Sequence, residues 1–258
     1  MARLLSAVAL LPLVFGTIWF LPPLATLLLA EVVLLLAFRE YAALAGGFGA
    51  RLSSGLSMVG AAATAAAVAF DATVVVLMAS GLTILIVSLA TGRRGGQTLL
   101  DVASSLFPIL YLGLPIGALV GVRAFAGREA VVLLLVTIMV SDTAQYYGGR
   151  GLGRTPLAPK ISPKKTVEGA LFGLAAGTAL MLAVPIPGLV ESTVLQRAAL
   201  GIAIVGLGIA GDLFESQLKR GAGVKDASSL IPGHGGVLDR IDGLLFAAPG
   251  FYLFLQLA

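Results

Sequence analysis

Long apolar stretches separated by short polar breaks run the whole length of the chain, and each is near the roughly 20 residues that a bilayer-crossing helix needs. Taken in order they predict about nine spans, at roughly 4–20, 23–44, 54–70, 72–91, 100–122, 129–147, 167–188, 195–218 and 239–258. Pro22 and Pro23 separate the first two, because proline lacks a donor and disfavours helix in the residue before it. Asp71 divides the third from the fourth, and the third is mostly alanine. No run of alternating ten-residue strands is present, which argues against a barrel and for helices that satisfy their backbone internally. The expected fold is therefore an all-α polytopic membrane protein. It is read as one integral membrane domain over 1–258, with N-terminal helices to 128 and chemistry-bearing helices and loops over 129–258.

Composition agrees with that pattern: 58% of residues are hydrophobic and 12% charged, against about 25% charged in soluble domains. Mean hydropathy is +1.02. Cysteine is absent, which excludes disulfides and thiolate metal sites. The opening MARLLSAVALLPLVFG carries one Arg3 and no small-residue cleavage site before a polar start, so it reads as a first span rather than a cleaved leader. With the N-terminus on the cytoplasmic side, all but three of the 17 lysines and arginines fall on that side, the exceptions being Arg123, Arg128 and Arg197. Such asymmetry predicts N-inside, C-outside and an odd number of spans.

Two polar connections then face the cytoplasm. The first, from Gly148 to Thr166, is entered through Ser141 and Asp142, and its prolines and glycines predict a loop. Its basic residues, Lys164 and Lys165 among them, meet no acid within the loop and call for an anion, either lipid headgroups or a substrate phosphate. Thr166 is placed to cap the next helix, with Glu168 in the first turn where the helix dipole favours a carboxylate. The second connection lies within 216–243, SQLKRGAGVKDASSLIPGHGGVLDRIDG, whose glycines free the backbone for close approach to a ligand.

Asp212 lies inside an apolar run and shares a helical face with Glu215, Ser216 and Lys219. An acid within a span marks a site by default. Asp239 and Asp242 stand one turn apart at the start of the last span. Together these three aspartates offer hard oxygen ligands suited to Mg²⁺, which takes one or two carboxylates plus phosphate oxygens and waters. His234 is the only histidine and cannot build a histidine cage; it suits phosphate contact or loop orientation. Glu31 reads equally as a protonated helix-to-helix bond and as a functional group, and Glu40 beside Arg39 as a surface ion pair.

Residues 141–243 resemble the phosphatidate cytidylyltransferases, the CDP-diacylglycerol synthases. The family pattern S-x-x-K-R, four residues, K-D, then H-G-G-x-x-D-R-x-D is met by Ser216, Lys219, Arg220, Lys225, Asp226, His234, Gly235, Gly236, Asp239, Arg240 and Asp242. Upstream, SDTAQYYGGRGLGR and PKISPKKTVEG resemble the family's second region, with Gln145 where many relatives have alanine or glycine. The resemblance implies transfer of the cytidylyl group of CTP to phosphatidate, giving CDP-diacylglycerol and pyrophosphate at the cytoplasmic face of the cell membrane. It implies Asp212, Asp239, Asp242, Lys219 and Arg220 as the reacting machinery. Substrate contacts are implied for Ser141, Asp142, Lys164, Lys165, Thr166, Glu168, Ser216, Lys225, Asp226, His234, Gly235, Gly236 and Arg240. It further implies Mg²⁺ with a monovalent cation such as K⁺, a homodimer, membrane lipid as partner, and no nucleic acid. A related transferase acting on an ether-lipid phosphate fits the same motifs. A transporter fits poorly, because the polar groups lie toward one face and no internal repeat is evident.

Overall fold

The computed structural model describes all residues except Met1, 92–94, 187–188, 190–191, Pro232, His234 and Ala258, and for 2–7 it describes the backbone alone. Arg93, Arg94 and His234 thus lie outside the described residues. In chain order the elements are α1 (Ala2–Phe20), α2 (Pro23–Gly47), α3 (Ser54–Ala69), α4 (Thr73–Thr91) and α5 (Gly96–Pro108). A π-helical turn, Ile109–Gly113, leads into α6 (Leu114–Leu152), followed by β1 (Pro156–Ala158), β2 (Ser162–Thr166), α7 (Val167–Ala183), α8 (Val194–Gly221) and α9 (Leu238–Leu257). The fold is all-α apart from the short β1–β2 pair. Among the described residues, three helical runs are long and apolar enough to cross a membrane: Thr73–Thr91, Gly96–Leu152 and Val194–Gly221.

The break expected after residue 122 falls at Gly127 (φ 86°, ψ −177°), whose non-helical backbone separates two helical stretches within α6. Two sequence expectations are revised. Gly148–Leu152, expected as loop, completes α6. Its glycines serve contact: a Cβ at Gly148 would sit 2.6 Å from the Phe172 ring. The span expected over 167–188 ends as helix at Ala183, two residues before Pro185. Arg197 donates from Nη2 to the carbonyls of Met181 (2.6 Å) and Val184 (2.5 Å), capping the end of α7.

Contacts divide the chain into two compact units, one of 1–121 with 218–240 and one of 122–217 with 241–258. In the first, Leu34, Ala37, Phe38, Ala61, Ala65, Ile84 and Leu112 form a buried core. The alanine-rich α3 is held because small residues let backbones approach: Cβ atoms built on Gly60 and Gly113 would meet Ile109 Cδ1 at 2.9 Å and Ala61 O at 2.7 Å. The Tyr41 hydroxyl donates to Ser104 O (2.8 Å), tying α2 to α5. In the second unit, Val131, Leu134, Met181, Ile204, Val205, Ala247 and Phe251 are buried.

Candidate active site

The second unit contains the basic loop and the intramembrane acid. α6 ends at Leu152, and the chain returns through the antiparallel pairing of Pro156 with Thr166 and Ala158 with Ser162. This brings Lys165 back beside the helices. Thr166 caps α7 as expected, its Oγ1 accepting from Gly169 N (3.2 Å). Glu168, ahead of the apolar run of α7, folds the loop by accepting from the amides of Arg154 (3.0 Å) and Thr155 (3.1 Å) and from the Thr155 hydroxyl (2.9 Å).

Lys165 Nζ forms an ion pair with Asp212 Oδ2. The other oxygen, Oδ1, accepts a weak 3.4 Å bond from the Ser216 hydroxyl one turn along α8. Asp242 lies within electrostatic reach of Asp212, Asp142 and Lys165, so this unit gathers three candidate carboxylates and a lysine. Ser141 is buried and its Oγ accepts from Gln145 Nε2 (3.2 Å), which also donates to Asp142 Oδ1 (3.1 Å). Lys164, by contrast, is exposed. Glu215, one turn from Asp212, is fully buried.

The first unit contains the glycine-rich connection. Lys219 Nζ meets Asp239 Oδ1 at 2.5 Å, and both side chains are about nine-tenths buried. Asp239 Oδ2 accepts from Gly236 N (2.7 Å) and Ala227 N (3.2 Å), so this carboxylate also folds the loop ahead of its own helix. Arg220 Nη1 reaches Val224 O at 3.4 Å, and Arg220, Lys225, Asp226 and Arg240 are exposed. Gly235 has φ +83°, the left-handed region that favours glycine, and a Cβ there would lie 2.8 Å from Asp239 Oδ2.

Glu40 belongs to this cluster and was misassigned from sequence. It is not a surface partner of Arg39: it is 4% exposed, and its oxygens accept from the Ser228 hydroxyl (2.6 Å), Val237 N (2.9 Å) and Leu238 N (2.7 Å). The space beside Gly236, read as room for a ligand, is taken up by this side chain, since a Cβ there would lie 2.6 Å from Glu40 Oε2. Its only sequence signal was an acid just inside a long apolar run.

Among the described residues no three His, Cys, Asp or Glu side chains stand close enough to hold a metal ion by themselves. The oxygen-only donor set around Asp212 and Asp242 nevertheless matches Mg²⁺, which needs one or two protein carboxylates when phosphate oxygens and waters complete its shell.

The chain is similar to proteins named phosphatidate cytidylyltransferase from several bacteria. It is 40% identical over 153 residues to one from Helicobacter pylori, covering 59% of this chain and 57% of that protein. Identity is 43% over 125 residues to one from Aquifex aeolicus, covering 48% of this chain and 46% of the relative. It is 39% over 182 residues to one from Brucella suis, covering 69% and 63%. The aligned regions thus span from under half to under two thirds of those relatives' length. The cytidylyltransferase family profile matches residues 1–258, and the chain belongs to that family.

Proposed function

We propose that this protein transfers the cytidylyl group of CTP to phosphatidate, releasing pyrophosphate and forming CDP-diacylglycerol for phospholipid synthesis. The observation that carries the reading is the family match over the whole chain together with the spacing from Ser216 to Asp242; Asp212 pairs with Lys165, Asp239 pairs with Lys219, and Asp242 lies within electrostatic reach of Asp212. The phosphate monoester of phosphatidate, with a second pKa near 6, is largely dianionic at neutral pH and needs little general-base help. Its oxygen attacks the α-phosphorus of CTP, and the bond to the β-phosphate bridging oxygen breaks with its electrons leaving on pyrophosphate.

Repulsion between two anions is the main obstacle, and the cationic side chains address it. In this reading Lys165, half-buried beside Asp212, and Lys219, largely buried beside Asp239, orient phosphate oxygens, while exposed Arg220 and Lys164 neutralise the leaving pyrophosphate. Ser141, Asp142, Ser216, Lys225, Asp226 and Arg240 supply further substrate contacts. Mg²⁺, held through Asp212 and Asp242 with Asp239 nearby in sequence, would polarise the α-phosphate, with K⁺ as a second cation. Nine spans, an N-inside orientation, a cytoplasm-facing site and a homodimer complete the proposal. The test is a thin-layer assay of the purified protein with labelled CTP and, in separate arms, phosphatidate and an ether-lipid phosphate, with and without a chelator. A labelled liponucleotide from phosphatidate, lost on chelation and restored by Mg²⁺, is expected. Product only from the ether lipid would reassign the substrate, and none from either would overturn the reading.

A further inference from the structure

Glu40 sits toward the C-terminal end of α2, buried, with both carboxylate oxygens occupied by donors from one distant segment. Oε1 accepts from Ser228 Oγ and Val237 N, and Oε2 from Leu238 N. The amides at a helix start have no intrahelical acceptor, and a carboxylate there also meets the positive end of the dipole. α9 takes that acceptor from a side chain 198 positions earlier rather than from its own flank. Asp239 grips the same loop from the other side through Gly236 N and Ala227 N. Gly235 and Gly236 fit between the two acids where any Cβ would collide.

We propose that Glu40 is a positioning residue of the reaction, clasping Ser228 and the first amides of α9 so that the loop carrying Lys225 and Asp226 and the Lys219–Asp239 pair keep one geometry. The proposal rests on the transferase reading above. It goes beyond it in giving the N-terminal helices, which contain none of the signature residues, a part in forming the site.

Glu40→Gln keeps the shape of the side chain but replaces one acceptor with an NH₂ donor, which cannot serve all three bonds. In the full-length protein in detergent, amide exchange at Val237 and Leu238 is expected to quicken about tenfold or more, and the KM for CTP to rise by a similar factor. Exchange in α3 and the melting temperature should stay near wild type. A protein merely less well folded would lose Vmax at unchanged KM. Ser228→Ala, which removes one bond of the three, is expected to shift both readouts several-fold in the same direction, and to add nothing in a Glu40→Ala background. Unchanged exchange at Val237 and Leu238, or an unchanged KM for CTP, in both Glu40→Gln and Ser228→Ala would overturn the proposal. Wild-type protein that makes no CTP-dependent product would overturn the transferase reading and Glu40's part in it, while quickened exchange would still uphold the clasp.

Discussion

Two adjacent lysines in the basic loop, indistinguishable by residue type, have different surroundings. Lys165 is paired with Asp212, whereas Lys164 is exposed. Replacing Lys165 by glutamine removes a charged contact from a partly buried aspartate and should cost roughly 1.5–3 kcal/mol, or about one to two orders of magnitude in kcat/KM. Lys164→Gln should cost less than Lys165→Gln, and initial rates against CTP and against phosphatidate in mixed micelles measure both. Equal losses would mean that the loop acts by bulk charge. At this scale the sequence revealed the ionisable residues of the candidate site because acids and lysines stand out against Leu, Ala and Val. What it hid is pairing. Spacing cannot tell that Asp239 folds its own loop, or that Glu40 turns inward while Arg39 beside it faces out, because both depend on contacts between residues far apart in the chain.

Elements in this fold are fixed by small groups as much as by apolar bulk. Gly113 lies against the backbone of α3, and a methyl there would meet Ala61 O at 2.7 Å. Gly113→Ala should therefore destabilise by about 1–3 kcal/mol through overpacking, read as a lower midpoint of thermal unfolding in detergent, with the KM for CTP unchanged. The hairpin ahead of α7 has a pH signature. Glu168 ties it by accepting from the Arg154 and Thr155 amides and the Thr155 hydroxyl, bonds that need the carboxylate form. Hydrogen exchange at the Arg154 and Thr155 amides, corrected for intrinsic rates, should stay flat from pH 5 to 8. Glu168→Gln should raise it across that whole range, and a rise confined to the acid end would contradict the assignment.

For the molecule as a whole, the proposed orientation rests on where its basic residues fall. A cysteine introduced at Ser162 should react with a membrane-impermeant maleimide only in inside-out vesicles, and one at Ser192 only from the outside. The reverse labelling would invert the topology. Most helices were legible because long apolar runs broken by Pro22, Asp71 or the polar connections leave few other ways to satisfy a backbone in lipid. The break between the fifth and sixth expected spans is met by the non-helical backbone of Gly127. Where the expectation failed, at Gly148–Leu152, glycines were read as loop formers although α6 continues through them, Gly148 lying against the Phe172 ring.

The clasp at Glu40 joins residues 188 to 198 positions apart, which puts a delay into biosynthesis. At roughly 5–20 residues per second, the ribosome finishes α2 some ten to forty seconds before Ser228 and the start of α9 emerge. Throughout that interval the nascent chain carries a carboxylate with none of its final donors yet made. The glycine-rich loop can set only once the start of α9 is delivered, so a translation product halted before α9 holds the first helices without the clasp they are shaped to complete.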